Sequence, residues 1–363
     1  MSQNQTNTEI TIANQTKKFL VKSMYGFQTI LAYGLGQRLG IFEYLYEKAQ
    51  KSEEKVTSIS FTLEELSDNL NLDLRYLDAW VHILIACGIF EIDESREKCA
   101  KTAPYIYDLL IDHKGMFYVG QMIAGFYSMA SNQDLFVEGI KTGKTSNIND
   151  IPAVDYKGGQ LMSARFGSIV ERLFAKRCKE DRKKILKETA NIIEIGCGYG
   201  FNLEGWMKKY KKAKFVGIDI DPNGIEHAKQ LIEESNWSDR VELYQIPLED
   251  YVTKTDTKFD IAILNMVLHE MNPDDKYRLS VLDNIYTLLK DDGLLIVGDT
   301  MIPDLFKPNT KIQLYDVMHK MLEVGIGSKF YDEQSFKGLI DSSSFKHTEL
   351  IRERGDYFWA IRK

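Results

Sequence analysis

The feature that most constrains the fold is an apolar segment that runs into a glycine-rich loop, NIIEIGCGYG at residues 191–200. Its first half is typical of a buried β-strand, because apolar residues continue without a regular polar alternation. The loop carries Gly196, Gly198 and Gly200, and glycine adopts positive φ and lets a ligand approach the backbone closely. The pattern predicts a strand, a tight turn and a helix that together bind a nucleotide-like ligand.

The spacing of the glycines distinguishes two kinds of cofactor. Dinucleotide sites favour G-x-G-x-x-G, and the third glycine of that pattern would fall at Phe201. A nicotinamide cofactor is therefore disfavoured.

An acidic residue follows the glycine loop at the distance expected for a ribose contact. KFVGIDI reads as the next strand, and its Asp219 comes nineteen positions after Gly200. A carboxylate placed there accepts hydrogen bonds from both ribose hydroxyls. The alternative is that Asp219 only caps the helix that begins near Pro222.

Strands and helices alternate over the rest of this half, which predicts a mostly parallel, doubly wound α/β sheet with ligands at the carboxyl ends of its strands. We expect a helix over 222–235, a strand at VELYQI, the segment FDIAILNMVLHEM, a helix over 274–289, a turn at Asp291-Asp292-Gly293 and a strand at LLIVGDT. Two further strands around Arg354-Gly355-Asp356 predict an antiparallel hairpin.

Composition narrows the class of protein. With 363 residues the chain is long enough for two domains, and its net charge of −7 disfavours general binding to nucleic acid or anionic membranes. The four cysteines have no C-x-x-C pair, which fits reduced thiols in the cytoplasm. The first residues are polar and no apolar stretch is long enough to span a membrane, so we expect neither secretion nor insertion.

The N-terminal half has the outline of a winged helix. Thr62-Leu63-Glu64-Glu65 is a capping-box start, and a turn, a second helix, a strand IFEI, a polar hairpin and a strand up to Ala103 follow. Such a unit can bind DNA, but Asp73 and Asp78 on the second helix would repel phosphate. We therefore interpret it as a dimerisation unit.

A winged-helix unit followed by these motifs resembles the S-adenosylmethionine (SAM)-dependent small-molecule O-methyltransferases of plants and bacteria. The glycine loop resembles their first motif, and LHEM at residues 268–271 resembles their LHDW. The resemblance implies a Rossmann-like methyltransferase sheet, SAM as cofactor and a homodimer. It also implies a dimerisation domain over 1–158, a helical connector over 159–188 and a methyltransferase domain over 189–363.

The resemblance assigns roles to individual residues. His269 stands where the family has its general base, and Asp299 in VGDTMIP stands where an acid orients that base. The position of a second family glutamate holds Phe330, so the orienting pair is incomplete. Cys197 is interpreted as a small packing residue of the loop and not as a nucleophile. The predicted cofactor-binding residues are Glu194, Gly196, Cys197, Gly198, Gly200, Asp219, Ile220, Leu248, Glu249, Asn265 and Met162.

These assignments predict transfer of a methyl group from SAM to a hydroxyl of a small aromatic or polyketide-like molecule, with Met318 and Met321 lining the acceptor pocket. No metal site is expected, because no two histidines have helical ligand spacing. Three alternatives stay open: N- or S-methylation on the same fold, a SAM-binding regulator whose winged helix contacts nucleic acid, and a relative that hydroxylates or decarboxylates.

Overall fold

The chain divides into two compact units, Met1–Ser131 and Asn132–Lys363. The computed structural model describes residues 11–51, 56, 58–113, 115, 117–120, 123–124, 126–127, 133–145, 153–303, 314–345, 347–353 and 356–363.

The first unit consists of helices and a small antiparallel sheet. Its elements are α1 (Ile12–Arg38), α2 (Ile41–Gln50), β1 (Ser60–Phe61), α3 (Leu63–Leu70), α4 (Leu74–Ala86), β2 (Phe90–Ile92), β3 (Ala100–Thr102) and a π-helical segment (Tyr107–Ile111). The sheet has the order β1-β3-β2. The predicted start of α3 is confirmed, because the Thr62 hydroxyl accepts a hydrogen bond from the amide of Glu65 at 3.0 Å.

An aromatic cluster forms the core of this unit. The ring of Phe42 lies 4.5 Å from that of Tyr33 and 6.2 Å from that of Trp80, centroid to centroid. The indole of Trp80 donates to the carbonyl of Ala32 at 2.8 Å, which satisfies its polar group inside the core.

The second unit alternates helices and strands, as predicted for an α/β protein. Its elements are α5 (Gln133–Thr142), α6 (Ala153–Arg177), α7 (Lys179–Lys187), β4 (Asn191–Ile195), α8 (Phe201–Lys209), β5 (Lys214–Asp219), α9 (Pro222–Glu234), β6 (Val241–Gln245), α10 (Leu248–Val252), β7 (Phe259–Asn265), α11 (Asp275–Leu288), β8 (Leu289–Gly298), α12 (Leu314–Val324), α13 (Glu333–Asp341), β9 (His347–Glu353) and β10 (Asp356–Arg362).

The sheet of this unit has seven strands in the order β6-β5-β4-β7-β8-β10-β9. Strands β4 to β8 pair in parallel, whereas β10 pairs antiparallel with both β8 and β9. The predicted fold class and the closing hairpin are therefore confirmed. Strand order reverses beside β4, so the carboxyl ends of β4 and β7 border a topological switch point, where α/β sheets bind ligands.

One detail of the sheet differs from the prediction. The turn expected at Asp291-Asp292-Gly293 lies inside β8, which begins at Leu289 directly after α11. Pairing with β7 shifts register between Phe259 and Ile261, so the three turn residues form an irregularity within one strand.

Both faces of the sheet are covered by apolar residues. The central strand β7 is buried at all seven positions, as expected for a parallel strand with helices on either side. Within the described residues, no helix is both long and apolar enough to cross a lipid bilayer.

Candidate active site

The glycine loop after β4 takes the conformation that its sequence predicts. Gly196, Gly198 and Gly200 have φ angles of 71°, 47° and 80°. A Cβ at position 196 would lie 2.3 Å from a methyl carbon of Val267, so a larger residue has no room there. The loop is therefore specified by both dihedral angle and space.

Several amides of this loop donate to the protein itself, so they are not available to a ligand. The amides of Gly196 and Cys197 donate to the carbonyl of Ile218 at 2.8 and 3.1 Å. The amide of Gly198 donates to a carboxylate oxygen of Asp219 at 2.7 Å. The end of β5 thus holds the loop in place.

Asp219 lies between this loop and helix α9. Its other carboxylate oxygen accepts from the amide of Asp221 at 2.9 Å, and it is Asp221 that caps α9 by accepting from Asn223 and Gly224. The cap therefore does not explain Asp219. Burial raises the pKa of Asp219, while the backbone bonds that it accepts oppose the rise.

Glu194, the last acidic residue of β4, is buried with one oxygen satisfied. Its Oε1 accepts from the side-chain amide of Asn202 at 2.6 Å. Its Oε2 is buried and accepts no hydrogen bond from the described residues. Burial raises the pKa of Glu194 to about 8, against the opposing bond from Asn202. A buried carboxylate with a vacant lone pair suits a cationic or hydrogen-bond-donating ligand.

The remaining predicted cofactor residues have varied environments. Cys197 is buried beneath the loop, its sulfur would touch a Cβ at position 217, and burial raises the pKa of its thiol. Asn265 is buried at the end of β7. Leu248 is buried and Glu249 lies in the first turn of α10. Ile220 is 72% exposed. Met162 belongs to α6, but its side chain lies outside the described residues.

His269 and Asp299, predicted as base and orienter, lie beyond the ends of neighbouring strands β7 and β8 and are in direct contact. The Nδ1 atom of His269 is 2.6 Å from Oδ1 of Asp299, and the backbone amide of His269 donates to Oδ2 at 3.1 Å. Both side chains are buried. The Nε2 atom of His269 is buried and makes no hydrogen bond with any described residue.

The charges around His269 determine its proton affinity. Burial opposes protonation, but the charge and the hydrogen bond of Asp299, with smaller contributions from Glu270 and Glu323, raise its pKa to about 9. Glu270 is close, with Oε1 3.9 Å from Nε2 of the histidine. By contrast, burial and the charge of His269 lower the pKa of His319 to about 4.

Phe330, at the position where the resemblance implies a second glutamate, presents an aromatic ring to both histidines. Its ring stacks on the imidazole of His269, with centroids 4.7 Å apart and planes at 17°. It also meets the ring of His319 edge-on at 5.2 Å. The imidazole is therefore held by Asp299 at one edge and by Phe330 on one face.

A buried arginine fixes the two loops that carry these groups. Arg278 of α11 is fully buried, and its guanidinium donates to the carbonyls of His269, Met271, Asn272 and Lys329 at 2.8 to 3.1 Å. The amide of Lys329 also donates to the carbonyl of His269 at 2.9 Å. The guanidinium thus connects the loop that carries His269 to the segment that carries Lys329 and Phe330.

Sequence reasoning missed several members of this site. Asn202 and Arg278 have ordinary positions on amphipathic helices, and no local signal marks them. His319 and Glu323 do carry one, because they are four residues apart on α12. Met321 of α12, proposed for the acceptor pocket, is 39% exposed, and the side chain of Met318 lies outside the described residues.

Several known proteins of similar sequence or fold are methyltransferases. Residues 193–295 match a family model described as a methyltransferase domain. The chain is 22% identical over 385 residues to myricetin 3-O-methyltransferase 3 of Solanum habrochaites, covering 97% of each protein. The structure of a mitomycin 7-O-methyltransferase matches with a TM-score of 0.69 at 16% identity, covering 97% of this chain and 98% of that one. Human N-acetylserotonin methyltransferase, solved with SAM, matches with a TM-score of 0.67 at 13% identity, covering 98% of this chain and 99% of that one.

These matches confirm the resemblance drawn from the sequence. The solved structures share the fold over almost the whole chain, and the family match places a methyltransferase domain on the glycine loop, β5 and β7. The predicted class of enzyme, a methyltransferase of the SAM-dependent type, is confirmed with them.

Proposed function

We propose that this methyltransferase transfers the methyl group of SAM to a hydroxyl of a small molecule, with His269 as the general base. One observation carries the proposal: the buried imidazole of His269 has Nδ1 bonded to Asp299 and leaves Nε2 without a hydrogen-bond partner among the described residues. A base that is oriented on one nitrogen and vacant on the other is what removal of a hydroxyl proton requires.

The residues around the glycine loop fit SAM. When bound, SAM supplies an electrophilic methyl group on a sulfonium. Glu194, whose Oε2 has no hydrogen-bond partner among the described residues, would hold the amino group of its methionine part, and Asp219 would accept hydrogen bonds from its ribose hydroxyls. Gly196 has no side chain, and a Cβ there would clash with Val267, so the loop can pack closely against that residue.

The chain's own part in the reaction is orientation and proton transfer. In the neutral form of His269, whose share rises as the pH approaches its pKa of about 9, Nε2 accepts the proton of the acceptor hydroxyl as the oxygen attacks. Asp299 holds the proton on Nδ1 and stabilises the imidazolium that forms. The ring of Phe330 keeps the imidazole plane fixed. A positioned base of this kind typically contributes about 10² to 10⁴-fold to the rate.

An aromatic or polyketide-like acceptor, a homodimer, a cytoplasmic location and the division at residues 158 and 188 remain proposals. The exposed apolar side chains of α1, among them Phe19, Met24 and Phe27, support self-association of the first unit.

Cofactor binding is tested first, by calorimetric titration of SAM and S-adenosylhomocysteine. Asp219→Ala should weaken binding by tenfold or more, whereas the exposed Asp256→Ala should not change it. Absence of saturable binding to either ligand would remove the methyltransferase proposal.

The base is tested in an acceptor screen read by mass spectrometry. For any hydroxyl acceptor found, His269→Gln should lower turnover by about 10² to 10⁴-fold while SAM binding persists. His82→Gln, which changes an exposed histidine of α4, is the control. Full turnover in His269→Gln would contradict the general-base role.

A further inference from the structure

Three potential metal ligands converge beside the proposed base. Each of His269, His319 and Glu323 offers a ligand atom, and these atoms lie within 4.8 Å of one another. His319 and Glu323 are neighbours on one face of α12, with Nε2 of the histidine 3.7 Å from Oε1 of the glutamate. His269 approaches from the end of β7, and its ring meets that of His319 edge-on at 5.1 Å.

The second heteroatom of each ligand is already bonded to a neighbouring group. Nδ1 of His269 is bonded to the Asp299 carboxylate at 2.6 Å. Nδ1 of His319 lies 3.4 Å from the hydroxyl of Thr300. Oε2 of Glu323 accepts from the hydroxyl of Ser328 at 3.0 Å. Such outer contacts orient imidazole and carboxylate ligands around metals, and a carboxylate bonded to the far nitrogen of a histidine is typical of them.

The remaining ligand atoms of the three residues border a common volume, since one atom of each lies within 4.8 Å of the others. The buried Nε2 of His269 has no hydrogen-bond partner among the described residues. Glu270 adds a second carboxylate near this volume, because its Oε1 lies 3.9 Å from that nitrogen. Phe330 covers the rings of both histidines and keeps one side apolar.

We propose that Nε2 of His269, Nε2 of His319 and Oε1 of Glu323 bind one divalent transition-metal ion of the Zn²⁺ class. Two imidazoles and one carboxylate suit Zn²⁺, Co²⁺ or Fe²⁺ better than Mg²⁺, which prefers oxygen ligands. Ligand atoms around tetrahedral zinc lie about 3.3 Å apart, so the three groups need to move together by about an ångström or slightly more. This site contradicts the metal-free prediction from histidine spacing, which considered histidine pairs and not a histidine with a carboxylate.

A metal ion on Nε2 excludes a proton from the same nitrogen. This consequence rests on the proposed function, because it concerns His269 as base. The metal-bound protein cannot take the acceptor's proton through His269, so metal occupancy suppresses base-dependent methyl transfer. The site would then make activity sensitive to the supply of free metal.

The test measures binding of the metal alone, with neither SAM nor acceptor present. Chelator-treated full-length protein is titrated with ZnCl₂ by calorimetry, with MgCl₂ for comparison, and CoCl₂ is used to record the visible absorption of tetrahedral Co²⁺. One equivalent of Zn²⁺ and of Co²⁺ should bind, with Mg²⁺ weaker by at least 100-fold.

Variants locate the ion. His319→Ala should weaken Zn²⁺ binding by 100-fold or more and abolish the Co²⁺ spectrum. The matched control is His82→Ala on α4, which removes an exposed histidine whose Nδ1 lies 3.6 Å from the Asp78 carboxylate at the same four-residue spacing. If His319→Ala fails to fold by circular dichroism, Ser328→Ala should still weaken binding by about 10 to 100-fold.

Equal Zn²⁺ affinity in the wild type, Ser328→Ala and every folded ligand variant would overturn the proposal, and so would Mg²⁺ binding as tightly as Zn²⁺. SAM binding is measured separately from metal binding. A failure to bind metal therefore leaves the methyltransferase proposal unaffected, and a failure to bind SAM leaves the metal site unaffected.

Discussion

The contact between His269 and Asp299 predicts a measurable titration in the ligand-free protein. The pKa of His269 is raised to about 9, from an ordinary value near 6.5. At 1.36 kcal/mol for each pH unit, the difference corresponds to roughly 3 kcal/mol in favour of the imidazolium. Because burial acts in the opposite direction, the groups that raise this pKa, Asp299 first and then Glu270 and Glu323, together supply more than this amount.

Asp299→Asn removes that charge and keeps the shape of the side chain. We expect the midpoint of the His269 titration to fall by about 2 pH units or more. Glu270 and Glu323 also raise the pKa of His269 and remain in the variant, so part of the increase over the effect of burial persists, whereas the neighbouring His319 does not add to it.

The assay is a pH titration followed by NMR in protein labelled with ¹³C in its six histidines, with the His269 signal assigned by its loss in His269→Gln. Metal is removed by chelation beforehand. The matched control is Asp341→Asn, an exposed carboxylate of α13, which should leave the His269 midpoint in place. If Asp299→Asn moved the midpoint by less than half a pH unit, the electrostatic account of this pair would be wrong.

Three further predictions concern stability. The pKa of Glu194 is about 8 in the folded protein and 4.5 ordinarily, so its contribution to stability is present below pH 4.5 and is lost as pH rises through 8. In thermal unfolding without ligand, the stability of Glu194→Gln relative to the wild type should therefore increase by up to roughly 4 kcal/mol from pH 5 to pH 9. A difference in stability that does not change with pH would contradict the burial of this charge. Arg278→Met should lower the free energy of unfolding in urea by roughly 3 to 5 kcal/mol, because buried carbonyls lose their hydrogen-bond donor. The exposed Lys337→Met should lower it by less than about 1 kcal/mol. Similar losses in the two variants would contradict the structural role of the buried guanidinium. Gly200→Ala should cost about 1 to 2 kcal/mol, because position 200 has φ 80° and an added Cβ would lie 2.9 Å from the Cβ of Ala228. Gly205→Ala, inside α8 with open space around it, should instead stabilise by about 0.5 to 1 kcal/mol; equal effects would contradict the account from dihedral angle and space.

Local patterns were sufficient to predict the elements that carry the cofactor motifs. The apolar run of β4, the turn after it and the Asp-Pro start of α9 are each determined within a few residues, and the structure has them where the sequence predicts them. The pairing of His269 with Asp299 was predicted from the resemblance. In the structure the two residues meet because the strands that precede them, β7 and β8, are neighbours in the sheet.

What the sequence did not predict depends on partners far along the chain. The amides of Gly196 and Cys197 donate to Ile218 and that of Gly198 donates to Asp219, and nothing in the loop sequence predicts these acceptors. Arg278 looks like a solvent-facing charge on α11, yet one of its acceptors is the carbonyl of Lys329, fifty-one residues later. The irregularity in β8 likewise depends on its register with β7.

The order of the last two strands in the sheet has a consequence for how the chain folds as it is synthesised. Strand β9 precedes β10 in the sequence but lies outside it, and its one pairing partner in the described sheet is β10. Until β10 has docked against β8, β9 therefore has no native edge in the sheet to join, and it is an unpaired strand. Segments in that state are where nascent chains pair with each other. A delay in the docking of β10 should accordingly favour aggregation over folding, whereas the five parallel strands that hold the site can assemble before either strand joins them.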